Sequence, residues 1–297
     1  MFAIEINQLT KKFGDFTSIQ DIHLQIEHGE IFGFLGPNGA GKSTTIRHLM
    51  GFIRPTEGTC SMNGLDCLKD AAEIQKKIGY LPGEIAFFDK MTGTQFIQFI
   101  GKMKGLQDFS RAEELIHFFE LDPSRSIRKM SKGMKQKVGL VCAFMHKPEI
   151  VILDEPTSGL DPLMQTKFIE FILEEKKRGT TVFMSSHMIE EVEKTCDRVA
   201  IISKGKLVAV DKVSDLKERK IKKYVVTFGD EKQASRFIQE DFISSPISSL
   251  DISVQIQGNI QAFIKCLANY DVKALDVVTQ SLEEVFLDYY KDGGNPL

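Results

Sequence analysis

The 297 residues, 42% hydrophobic and 27% charged with a net charge of −3, describe an ordinary globular protein rather than one built mainly to bind bare nucleic acid. Five scattered cysteines (Cys60, Cys67, Cys142, Cys196, Cys266) form no metal-ligand spacing and read as free thiols in a reducing compartment. The N-terminal apolar stretch holds Glu5, unlike a signal peptide, and no uncharged run approaches the ~18 residues of a membrane span.

Residues 21–27 alternate, with Ile22, Leu24 and Ile26 on one side, as a half-buried strand does. A turn at 28–30 leads into the apolar run 31–35, a second predicted strand. Then comes GPNGAGKST at 36–44, followed by Ile46, Leu49 and Met50 at helical spacing. Strand, glycine loop and helix are the context that makes G-x-x-x-x-G-K-[ST] a phosphate-binding loop. Gly39 and Gly41 let the backbone curl, so that consecutive N–H groups of the loop from Gly36 through Asn38 and Ala40 to Thr44, Pro37 having none to give, face a phosphate. Lys42 is expected to reach the outer phosphates and the Ser43 hydroxyl to hold Mg²⁺.

A turn at 55–58 and a short strand at 78–81 follow. Residues 92–146 turn helical, with Phe96, Phe99, Ile100 and Met103 on one face and Ala112, Leu115, Ile116 and Phe119 on another. Both stripes are expected to be helical core. Near-continuous apolar strands resume at 149–153 and 180–184, as in a parallel sheet covered on both faces, with another strand at 199–202. The strand at 149–153 leads into two carboxylates: Asp154 is placed to hold a metal through water, and Glu155 to orient or deprotonate an attacking water. Around 211–223 the charge-rich DKVSDLKERKIKK marks a boundary. Strands at 224–228, 250–256 and 272–278 form a small α/β appendage, and SLEEVFLDYY at 281–290 reads as an amphipathic helix with a capping box at Ser281 and Glu284.

The run VILDEPTSGLDP at 151–162 resembles the Walker B and D-loop segment of ATP-binding cassette (ABC) ATPases. MSKGMKQ at 130–136 resembles their LSGGQ signature, His187 matches the switch histidine and Phe13 the aromatic that stacks on adenine. These elements stand in family order across residues 2–211. The resemblance implies an α/β fold: a P-loop ABC ATPase core with a mixed sheet over 1–212, a helical subdomain inserted at about 85–147, and a small accessory α/β domain over 213–297. It also implies ATP and Mg²⁺ as ligands, and a head-to-tail pair of ATP-binding subunits in which Ser131, Gly133 and Asp161 serve the nucleotide held by the other copy. Read alone, Ser131 is simply a helix N-cap, His187 is structural, and Phe13 is as readily core.

Three departures stand out. Lys132 and Met134 replace the signature's Gly and Gln, as in bacterial exporter variants. Gly83 stands where the family has its Q-loop glutamine, with Glu84 one residue on as the candidate substitute. Phe87 and Phe88 are candidates for a groove that receives a partner's coupling helix, or for core. The resemblance implies an ATPase subunit, peripheral on the cytoplasmic face of the cell membrane, that powers export through a separate permease and does not bind nucleic acid. The alternative class is a soluble ABC ATPase acting on the ribosome or DNA. Those families carry tandem cassettes or long coiled coils, and no sustained heptads separate the two Walker motifs here.

Overall fold

The computed structural model describes residues 2–218, 222–256 and 260–279. The chain divides into two compact units, Met1–Val213 and Ser214–Leu297. The first opens with strands β1 (Ile4–Phe13), β2 (Phe16–Ile26) and β3 (Ile31–Leu35), then helix α1 (Lys42–Leu49). Next come β4 (Glu57–Met62), β5 (Leu65–Asp66), α2 (Ala71–Lys77) and β6 (Gly79–Leu81). Helices α3 (Gly93–Met103), α4 (Ser110–Phe118) and α5 (Lys132–Phe144) precede β7 (Ile150–Asp154), α6 (Pro162–Lys177) and β8 (Thr181–Ser186). Then follow α7 (Ile189–Thr195), β9 (Arg198–Ser203) and β10 (Lys206–Lys212), and α8 (Val213–Glu218) crosses into the second unit.

A six-stranded sheet has the order β10-β9-β3-β8-β7-β6, parallel from β9 to β6 and antiparallel at β10. Every residue of β3, β7 and β8 is buried, which is why their sequences read as continuous apolar runs. An antiparallel sheet, β2-β1-β4-β5, joins the same core. The register decides where the site lies. Leu35 pairs with Ser186 and Asp154 with Ser185, so the chain leaves three adjacent strands at the same edge, just before Gly36, Glu155 and His187. Carboxyl ends of parallel strands are where α/β sheets place ligands.

The stripe at Phe96, Phe99, Ile100 and Met103 is a correction to the reading from sequence. Helix α3 buries Gly93, Phe96, Ile97 and Gly101, whereas Phe99 is 37% and Met103 66% exposed. Gly101 sets this rotation, because a Cβ there would lie 2.3 Å from the Phe109 ring. The helix closes on its own unit through Phe96, Ile97 and the glycine side, and leaves Phe99 and Met103 toward the outside.

The second unit continues with β11 (Lys222–Phe228), α9 (Glu231–Phe237), β12 (Ile243–Pro246), β13 (Asp251–Gln255), α10 (Ile260–Leu267) and β14 (Val272–Thr279). Its antiparallel sheet runs β12-β13-β11-β14. Tyr224, Val226 and Phe228 alternate on one face of β11 and pack with Phe237 of α9 and Phe263 of α10 in a separate core. The helix read at 281–290, with its capping box, lies outside the described residues.

Candidate active site

The phosphate loop is shaped by what its glycines lack. A Cβ on Gly36 would lie 2.4 Å from the Ile202 carbonyl oxygen, and one on Gly41 would lie 2.6 Å from Ile19 Cγ2. Gly41 also sits at φ +111°, where side-chained residues are strained. It caps α1 without a side-chain acceptor, and no acid stands in the first helical turn. The N-terminal N–H groups of α1 therefore keep their partial positive charge for a ligand. Pro37, Asn38 and Gly39 form the exposed crest, with Ala40 buried behind them and its N–H bonded to Pro37 O at 3.2 Å. Thr44 Oγ1 shares a 2.8 Å hydrogen bond with Ser18 Oγ, which pins the helix start to β2.

Lys42 is only 5% exposed, and its Nζ donates to Gly36 O at 2.7 Å and Pro37 O at 3.2 Å. The same ammonium lies 3.5 Å from Glu155 Oε1, and His187 Nδ1 lies 3.3 Å from Glu155 Oε2. One carboxylate thus stands between two cationic or potentially cationic groups that come from separate strand ends. Glu155 has φ +50°, a left-handed conformation costing about 1–3 kcal/mol. Its N–H donates to Ser185 O at 3.2 Å and to Ser185 Oγ at 3.1 Å, which holds the kink. Ser185 Oγ in turn donates to Asp154 Oδ1 at 2.5 Å. Asp154 is 6% exposed, and its other oxygen faces Gly83, where a Cβ would lie 3.2 Å away.

Ser131 caps α5, accepting from Met134 N at 3.2 Å. Gly133 lies so close to the loop after β7 that a Cβ would meet Gly159 O at 2.7 Å, and Lys132 Nζ donates to Ser158 Oγ at 2.8 Å. Asp161 caps α6, accepting from Met164 N at 3.0 Å, with Pro162 in the first turn. Gln136 was not singled out by the sequence, yet it is buried and donates to Pro156 O at 2.8 Å and Glu155 O at 3.3 Å. It clamps the backbone on either side of the Glu155–Pro156 bond. Ser185 was missed for the same reason: its partners lie about thirty positions away, and no spacing rule reveals them.

The structure therefore draws Lys42, Asp154, Glu155 and His187 into one cluster. It gathers Ser131 and Gly133 against the Ser158–Gly159 turn, next to Asp161. Phe13 stands apart, 50% exposed at the end of β1, with Lys11 Nζ 5.0 Å from its ring centroid. Glu84 is exposed, and the position facing Asp154 is Gly83. Both residues line a groove of about 1200 Å³ with Ser43, Tyr80, Ile100 and Met103. Burial and the nearby Asp154 charge push the Tyr80 phenol up to about 12. Phe88 is 54% exposed and stacks edge-on against Phe99, at a centroid separation of 5.5 Å.

The ABC transporter family matches residues 19–158. The chain is 36% identical over 220 residues to the probable multidrug ABC transporter ATP-binding protein YbhF of Escherichia coli, covering 72% of this chain and 38% of YbhF, so it spans well under half of that relative. It is 37% identical over 221 residues to the linearmycin resistance ATP-binding protein LnrL of Bacillus subtilis, covering 73% of this chain and 71% of LnrL. A solved ATP-binding subunit of an ABC transporter superposes with a TM-score of 0.67 at 30% identity, over 73% of this chain and 92% of the other. On these matches, and with its phosphate loop, paired strand-end carboxylates and His187 standing in family order, the chain belongs to the ATP-binding proteins of ABC transporters.

Proposed function

We propose that this chain binds and hydrolyses MgATP as one of a head-to-tail pair of cassettes and so drives export through a separate membrane permease. The observation that carries the reading is the Glu155 carboxylate, held between Lys42 and His187 beside the uncapped start of α1. Lys42 exchanges the Gly36 and Pro37 carbonyls for the outer phosphates. Glu155 orients the attacking water and accepts its proton, and His187 contacts the γ-phosphate. Nearly all these groups serve the γ-phosphate, so the site discriminates ATP from ADP, as a switch requires.

The donor set fits Mg²⁺: the exposed Ser43 hydroxyl at the helix start, and Asp154, which lines the same groove with its Oδ2 beside Gly83. When bound, the ion neutralises charge on the β- and γ-phosphates. Ser131, Gly133 and Asp161 serve the partner copy's nucleotide, and Phe13 offers its exposed ring to adenine. Glu84 serves the same groove from its edge.

The names of YbhF and LnrL, a multidrug transporter and a resistance protein, support export. Among the described residues no helix is long and apolar enough to cross a membrane. The exposed Phe88, Phe99 and Met103, with the half-buried Ile100 beside them, are where the permease docks on the cytoplasmic face. The test is co-purification of tagged Glu155→Gln, with ATP, from gently solubilised host membranes. A stoichiometric multi-span protein supports the proposal. Ribosomes, DNA or a soluble ATP-closed dimer alone would sink it.

A further inference from the structure

Glu191 of α7 is a buried acid that the mechanism above does not use. It is 4% exposed, and its Oε1 is enclosed with no hydrogen-bond partner. Its Oε2 accepts from Ser186 Oγ at 2.6 Å. A serine hydroxyl has one proton, so the same oxygen is left as an acceptor, and Met188 N donates to it at 2.9 Å. Ser186 and Met188 flank His187. The relay therefore spans the turn that carries the imidazole to Glu155. Its backbone is tied as well, since Gly36 N donates to Ser186 O at 3.2 Å. Thr157, two residues beyond Glu155, turns its hydroxyl to Met188 Sδ at 3.9 Å.

We propose that Glu191 is the positioning residue for His187: its carboxylate takes the Ser186 proton, Ser186 then holds the Met188 N–H, and the turn aims the imidazole at Glu155. A protonated Glu191 can instead donate to Ser186, which frees that hydroxyl for the Met188 carbonyl oxygen, 3.3 Å away. The turn then has a second hydrogen-bond pattern and a looser histidine. Burial, with the charge of Glu155 adding to it, pushes the Glu191 carboxyl up to about 7, against the opposing hydroxyls of Ser186 and Thr157. The charge of Glu191 also reaches the Cys196 thiol, which burial, the larger cause, keeps protonated. The two patterns thus exchange near neutral pH.

The inference rests on His187 acting in hydrolysis, and the experiment separates the two. Steady-state ATPase activity of the full chain is measured from about pH 5.5 to 9 for Ser186→Ala, Ser186→Thr, Glu191→Gln, His187→Ala and the Glu191→Gln/His187→Ala pair. ADP binding by calorimetry confirms that each is folded. The expected result is a kcat lowered between about 10- and 100-fold for Ser186→Ala and Glu191→Gln, with KM held within about twofold. Ser186→Thr restores kcat, because it keeps the hydroxyl. Glu191→Gln loses the inflexion near pH 7 and adds no further loss to His187→Ala. If His187→Ala is impaired while Ser186→Ala and Glu191→Gln keep wild-type rates and pH profiles, the positioning role is overturned and the histidine's stands. If His187→Ala itself keeps full activity, the underlying reading fails first. Should Glu191→Gln not bind ADP, the comparison of Ser186→Ala with Ser186→Thr decides alone.

Discussion

Burying Glu191 has a thermodynamic consequence independent of ATP. Its carboxyl moves from an ordinary 4.5 to about 7 in the fold. A raised pKa means the native state binds the proton more tightly than the unfolded chain does. The stability contributed by that proton is complete below pH 4.5 and is lost as pH rises through 7. At about 1.4 kcal/mol per pH unit, the full loss is about 3 kcal/mol, a sizeable part of a domain's 5–15 kcal/mol. Glu191→Gln has nearly the same shape and stays neutral. It is expected to match wild type near pH 4.5 and to gain up to about 3 kcal/mol over it by about pH 9. Calorimetric unfolding of the larger unit at several pH values checks this, with the difference between the two proteins plotted against pH. A difference that stays flat would refute the claim that burial outweighs the hydroxyl hydrogen bonds to the carboxylate. A group kept at that expense beside His187 would, on the proposed role, be a stability–activity trade of the kind catalytic sites show.

Other outcomes follow from the same geometry. Lys42→Ala removes the ammonium between Gly36 O and Glu155, and is expected to weaken ATP binding, read by equilibrium titration with a fluorescent ATP analogue. Glu155→Gln should bind ATP, turn over on the order of 100-fold more slowly or less, and accumulate as a closed dimer seen by size-exclusion chromatography with ATP. Gly133→Ala drives a Cβ to 2.7 Å from Gly159 O, so it should depress ATPase activity while ADP affinity is retained. His146 is lowered to about 4, chiefly by burial, with Lys104 adding to it. Its neutral form contributes stability that is complete above pH 6.5 and lost as pH falls through 4, so His146→Gln should flatten that part of the acid-unfolding curve.

Sequence revealed the parts of the fold whose signal is local. Strands β3, β7 and β8 are buried on both faces, so their apolar runs are unambiguous. Strand β1 was invisible because its alternation breaks at Gln8, which has φ +50° and a register shift beside it, and because Glu5, Lys11 and Lys12 dilute its polarity pattern. The α3 stripe was legible as amphipathic, but periodicity cannot say what covers an apolar face: Phe99 is only partly covered, by the Phe88 ring, and Met103 stays 66% exposed. The site divides the same way. Lys42, Asp154 and Glu155 stand in strand-end motifs whose local context carries their chemistry, whereas His187 was reached only through the family resemblance. Gln136, Ser185 and Glu191 act through hydrogen bonds to loops fixed only by the sheet register, which no one-dimensional pattern contains.

Gln136 gives α5 two allegiances. Its first turn, at Ser131 and Gly133, is turned outward to the neighbouring copy in the proposed pair. One turn later, the same helix grips the carbonyls of Glu155 and Pro156 within its own chain. A rigid helix cannot move one end and leave the other behind. Any tilt that a second nucleotide imposes on the start of α5 is delivered to the backbone of this chain's own Glu155. In the proposed pair the two ATP sites would therefore be linked through a single amide side chain.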